Sequence, residues 1–149
     1  MSKLAVLFAA LSFVLLSATA APAAGGGTAT EARAMLDRAV GELKANEAAA
    51  LVKFDTGADG FKDRDLYVFC FDATTGIMTA HPRLKGTDIR TLKDSTGNAF
   101  GLQTFSSVKE GQVATVDYLF PLPSGGDPLP KQTFITRVGG QGCGVGYYK

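Results

Sequence analysis

Apolar and polar positions follow different periods along the chain, and each period marks off a different kind of element. Leu4 to Leu16 is an almost unbroken apolar run behind the cation Lys3, and Ala18-Thr19-Ala20 supplies the small-x-small pattern that signal peptidase recognises. The run is too short to span a bilayer comfortably. Residues 1–20 therefore read as a cleaved secretory signal with no lipobox cysteine, and residues 21–29, rich in Ala, Gly and Pro, as a flexible leader. From Thr30 to Phe54 the spacing becomes helical. Ala32, Met35, Leu36, Ala39, Val40, Leu43, Ala50, Leu51 and Phe54 recur at three and four, while Arg33, Asp37, Arg38, Glu42 and Lys44 face elsewhere. That pattern predicts one long amphipathic helix with a single side to bury. Thr28 and Glu31 have capping-box spacing, with Thr30 as a competing cap.

After a polar link, Asp55 to Arg64, the period drops to two. "DLYVFCFD", Asp65 to Asp72, is apolar on both alternations, with Leu66, Val68 and Cys70 on one face and Tyr67, Phe69 and Phe71 on the other. A strand of that kind is central and covered on both sides. Ala73 to Gly76 is a turn, and Ile77 to Ala80 returns as the hairpin partner. His81-Pro82 stops it, because proline lacks the N–H for the next ladder bond and restricts the residue before it. Residues 83–97 read as an irregular crossing with one helical turn around Ile89 to Leu92, and Asn98 to Lys109 as a second helix. Gln112 to Leu119 and Lys131 to Val138 flank the turn-rich "PLPSGGDPLP", and Gly142 to Tyr148 closes the chain. Five antiparallel strands with helices segregated from them indicate an α+β layer.

Charge and composition narrow the function. There are 15 Lys and Arg against 14 Asp and Glu, and losing Lys3 with the signal leaves a balance of zero. Nothing here steers the chain toward nucleic acid or an anionic membrane. What remains has the length of one domain, without a second apolar run able to span a membrane. The location implied is periplasmic or secreted. Cys70 and Cys143 either bridge there, closing a loop worth roughly 4 kcal/mol by chain entropy, or remain two buried thiols.

The residues from "YVFCFDATTGIMTAHPRLKGTDIRTLKDSTGNAF" through "VDYLFPLP" and "PKQTFITRVGG" to "GVGYY" resemble the single Cache domain family, type 2, a branch of extracytoplasmic sensor domains with a PAS-like sheet. The resemblance covers residues 30–149. The tyrosine-aspartate-glycine-histidine-proline succession, the "KD…G..F" step and the "DY…P" step occur in order, although Phe71-Asp72 replaces the usual tyrosine-aspartate. Cys143 stands where the family generally carries tryptophan or another bulky apolar residue. The resemblance implies a five-stranded PAS-like sheet backed by the N-terminal helix, and a pocket for small organic ligands, often short carboxylates, between sheet and crossing. With the last strand at the chain's end, the expectation is a sensing or binding protein without its own output module. The alternative is an interaction subunit with a vestigial pocket, docked on a membrane receptor, kinase or transporter.

A carboxylate needs a cation or strong donors in a dry, apolar cup. Tyr118 and Lys131, on adjacent antiparallel strands, are placed to converge on one anion, and by resemblance they match the family's tyrosine and lysine positions. His81 and Arg83 stand at the mouth. His81 either donates to the ligand, or takes a proton in mild acid and binds it more tightly, or ends the strand and hydrogen-bonds a carbonyl of the crossing. Arg83 either lines the pocket or is an exposed cation, and Tyr67 and Phe69 are either walls or plain core. A zinc site, a CxxCH haem attachment and a G-x-S-x-G nucleophile are all missing from the sequence, so no cofactor and no enzymatic role are expected. "GGQGCGVG", Gly139 to Gly146, has no following helix to hold a pyrophosphate. As a strand it puts Gly140, Gly142, Gly144 and Gly146 on one bare face, which lets another layer approach.

Overall fold

The computed structural model describes residues 25–149. The expected signal, residues 1–20, and the first part of the expected leader lie outside the described residues. The leader's remainder is tied down earlier than expected. Gly27 N–H donates to the Asp65 carboxylate at 2.6 Å, and Thr28 caps α1 (Ala29–Ala45) through a complete capping box with Glu31.

The single long helix of the sequence reading is two helices. Asn46 leaves the helical region, with φ −161° and ψ 99°, and its side-chain oxygen accepts from Ala49 N–H, which starts α2 (Glu47–Thr56). Asparagine competes with the helical backbone by bonding to it locally, so the apolar period runs on through a point where the chain turns. Gly57, left-handed at φ 72°, closes α2.

The sheet has six strands rather than five. The extra one, β1 (Lys62–Asp63), is a two-residue piece inside the expected polar link. Next come β2 (Leu66–Asp72), β3 (Met78–Ala80), the helix α3 (Phe100–Ser107), β4 (Ala114–Phe120), β5 (Leu129–Val138) and β6 (Gln141–Tyr148). The order is β1-β2-β6-β5-β4, all antiparallel, with β3 on β2's other edge through a bulge at Cys70/Phe71. The last strand in sequence thus lies beside β2, which is central and fully buried up to Asp72.

The alternation read along β2 is the one the core uses. Leu66, Val68 and Cys70 face α1 and α2, where Met35, Leu36, Leu43, Ala50, Phe54, Val145 and Cys143 complete one cluster. Tyr67, Phe69 and Phe71 face the crossing, with Met78, Ile89, Phe100, Val116 and Ile135. Cys70 and Cys143 are paired across β2 and β6 and bonded as a disulfide beneath the helices.

The crossing is held at both ends. It pairs with β3, Met78 N–H donating to Thr87 O and Gly86 N–H to Met78 O, each at 2.9 Å. Farther on, Asp94 accepts from Thr96, from Asn98 N–H and, on β4, from Leu119 N–H. Those donors, Thr96 first, hold the Asp94 carboxyl down at about 2. The crossing and α3 therefore form a fixed roof over one face of the sheet.

Candidate functional site

Between that roof and the sheet lies a cavity of about 20 Å³ lined by Tyr67, Phe69, Met78, His81, Leu84, Ile89, Leu92, Phe100, Thr104, Tyr118 and Phe120. That is room for about one water molecule. A separate cleft of about 140 Å³, lined by Lys62, Tyr67, His81, Pro82, Arg83 and Pro123, shares Tyr67 and His81 with it.

Lys131, singled out in the sequence with Tyr118, is buried beside this region. It starts on β5 opposite Tyr118 and is only 2% exposed. Its ammonium reaches β2, donating to Tyr67 Oη at 3.2 Å, and lies 4.5 Å from the Tyr67 ring centre, 5.3 Å from Phe120 and 4.7 Å from Tyr148. Among the described residues no carboxylate comes within ion-pair distance of it, although eight surface pairs form elsewhere. Desolvation lowers its pKa to about 7, with the Arg83 charge adding to the effect and Asp65 opposing it. Aromatic faces and one phenol compensate part of that penalty and leave the charge without a counter-ion.

The companions of Lys131 are polar groups in an apolar setting. Tyr118, stacked on Phe100 at 4.2 Å, shares a 2.8 Å hydrogen bond with the buried Thr133 hydroxyl. Burial pushes the phenols of Tyr67 and Tyr118 well above the ordinary tyrosine value, so both remain protonated donors. The Tyr118 hydroxyl and the Lys131 ammonium are therefore held by different partners.

His81 follows directly on the end of β3, as its strand-end reading expects, but its hydrogen bonds differ from that reading. It offers no bond to a carbonyl of the crossing. Its Nδ1 accepts from the backbone N–H of Arg83 at 3.0 Å and of Leu84 at 3.1 Å, which places the ring proton on Nε2. The buried ring lies edge-on to Tyr67 at 5.2 Å and tilted to Phe69 at 6.2 Å. Burial, then the charges of Lys131 and Arg83, lower its pKa to about 3. The imidazolium expected in mild acid is thus disfavoured, and His81 is a neutral donor fixed by its own loop. Arg83 is exposed at the rim, its guanidinium 5.9 Å from the Phe120 ring centre. Tyr67 and Phe69 both line the cavity and both belong to the core, so the two sequence readings of them merge.

The sequence Single Cache domain 2 describes matches residues 15–147. This chain belongs to the single Cache domain 2 family. Comparison with curated proteins finds no match. Among solved structures, the Cache domain is similar to a methyl-accepting chemotaxis protein from Vibrio parahaemolyticus RIMD 2210633, with 22% identity over 80% of this chain and 86% of that one and a TM-score of 0.64. It is also similar to the periplasmic sensor domain of a chemotaxis protein, with 25% identity over 78% and 86% of the two chains and a TM-score of 0.58. A third structure, described as the basis for carboxylic acid recognition by a Cache chemosensory domain, matches at 24% identity over 77% and 84%, TM-score 0.58. Cache domains are sensory ligand-binding modules, and this chain has their α+β, PAS-like layer. Among its described residues no helix is long and apolar enough to cross a membrane.

Sequence reasoning missed Thr133, Phe120, Tyr148 and Phe100. Thr133 was within reach, since it shares Lys131's face by the two-residue period of β5. Tyr148 is level with Lys131 only because β6 pairs with β5 in that register. Phe100 and Phe120 come to the site from the first residue of α3 and the last residue of β4, and which layer those ends approach is set by the fold.

Proposed function

We propose that this Cache domain binds small organic carboxylates in an extracytoplasmic compartment. The observation that carries the reading is Lys131, a buried ammonium enclosed by Tyr67, Phe120 and Tyr148 and lacking a carboxylate partner. An uncompensated buried charge costs stability, and an incoming anion would supply the missing counter-charge in a setting of low dielectric. Neutral Nε2 of His81 and the protonated phenols of Tyr67 and Tyr118 add donors around the cavity, while Phe69, Phe100 and Leu92 supply apolar walls. Carboxylic acid recognition by a Cache domain of the same fold supports the ligand class. The amino-terminal signal pattern and the Cys70–Cys143 bond support an oxidising location.

The 20 Å³ cavity requires the roof side chains Leu84 and Leu92 to give way on binding. The same closure favours a second reading, an interaction subunit whose pocket no longer fills and which docks on a membrane receptor or transporter. Thermal-shift titration with acetate, propionate, pyruvate and lactate separates the two, because a ligand of the folded state raises the melting temperature with concentration. Tyr118→Phe and Lys131→Met should each weaken the response. A flat melt across the panel removes the carboxylate reading and leaves the docking one.

A further inference from the structure

Three glycines of β6 face the roof side of the sheet, and each receives a different neighbour. A Cβ added at Gly142 would enter the Phe71 ring. One at Gly144 would lie 2.8 Å from both the Phe134 carbonyl oxygen and Ile135 Cδ1. One at Gly146 would overlap Lys131 Cε, lie 3.3 Å from its Cδ and stand 2.5 Å from Thr133 Oγ1. Gly146 is set apart by what its nearest neighbours are: the far end of a long flexible side chain and a hydroxyl, where the other two meet a ring or backbone. Nor does it occupy the left-handed region, so its conformation is open to alanine.

The register explains the contact. Gly146 pairs with Thr133, and Lys131 with Tyr148, two pairs farther along the same two strands, so on the same face. To reach Tyr67 on β2 from β5, the Lys131 stem must cross β6, and it does so over the bare surface of Gly146. We infer that Gly146 is a positioning residue of the anion site: its missing side chain lets Lys131 lie flat across β6 and deliver its ammonium to the Tyr67 end of the cavity. The inference deepens the carboxylate reading and rests on it for its meaning, while the placement of Lys131 stands on its own.

The first test needs no ligand. In protein labelled with ¹³Cε-lysine, Lys131 is the resonance absent from Lys131→Met. In the wild type it should be ring-shifted by Tyr67, Phe120 and Tyr148 and should titrate near neutrality. The groups facing it are the phenols of Tyr67, Tyr118 and Tyr148, His81 and Arg83 of the crossing, and Asp65 ahead of β2. In Gly146→Ala the resonance should lose its ring shift and titrate with the exposed lysines, near pH 10. A Lys131 signal unchanged in shift and titration overturns the inference whether or not the protein binds carboxylates.

The second test uses propionate and calorimetry. Gly146→Ala should weaken binding tenfold or more, and adding it to Lys131→Met should weaken binding no further. Equal losses in both backgrounds would show that Gly146 does not act through Lys131. If wild type binds no propionate while the lysine spectra behave as described, the carboxylate reading fails and the positioning role stands. Should Gly146→Ala fail to fold alone, the pair Gly146→Ala, Lys131→Ala removes the stem that the methyl meets. Recovery of the fold identifies Lys131 as the accommodated residue, and a pair that stays unfolded overturns the inference.

Discussion

The two faces of the sheet are built from the same strands and filled in opposite ways. Beneath α1 and α2 the layer is aliphatic with a few aromatics, and the disulfide crosses it. Beneath the crossing it is aromatic, and His81, Lys131, Thr133 and the Tyr118 hydroxyl are set into it. Among the described residues the buried cluster under the helices holds no ionisable side chain, whereas the crossing face holds a lysine and a histidine that desolvation drives toward their neutral forms. A face that only stabilises can be made of apolar contacts. A face that binds has to retain polar groups at a cost in stability, and the proposed site has that composition.

Substitution of both cysteines by serine tests the helix face most severely. It should cost roughly 4 kcal/mol in urea unfolding, since the bond spans 73 residues, and should leave carboxylate affinity of the folded protein unchanged. Affinity falling in step with stability would erase the distinction between the faces. On the other side, Lys131→Met should weaken carboxylate binding roughly 10- to 100-fold, the range for losing a charged hydrogen bond, without lowering the melting temperature.

Titration sharpens the contrast. Lys131 has a folded pKa of about 7, below its unfolded value of about 10.4. Between these values the unfolded chain holds a proton that the folded chain lacks, so raising the pH stabilises the fold. Wild type should therefore gain stability relative to Lys131→Met from pH 7 to 10, while its carboxylate affinity falls, because the bound state needs the ammonium. His81 has a folded pKa of about 3 against about 6.5 unfolded, so the unfolded chain again binds the extra proton. Lowering the pH from 6.5 toward 3 should destabilise wild type more than His81→Gln, as melting curves at successive pH values will show. The smallest effect lies outside both faces: Thr28→Ala removes the α1 cap and should cost about 1 kcal/mol, with binding unaffected.

The amino-acid pattern by itself determined the α+β class, the central strand with its two apolar faces and the stop at His81-Pro82, while the choice of Tyr118 and Lys131 as site candidates came mainly from the family resemblance. The first three are local matters of period, turn chemistry and proline geometry. Asn46 shows where the local signal was present and misjudged: asparagine before Glu47 is a cap, and the apolar period running through it hid the break. Other features were decided only by tertiary structure. That β6 pairs with β2, bringing Cys143 to Cys70 and Gly146 under the stem of Lys131, is a choice of strand order that no residue announces. The cage of Tyr67, Phe120 and Tyr148 comes from three separate strands, and the neutral state of His81 from its burial and from two backbone N–H groups that its own turn aims at Nδ1. Desolvation belongs to the packed assembly and to no residue alone, so the ionisation of this site exists only once the layers have closed.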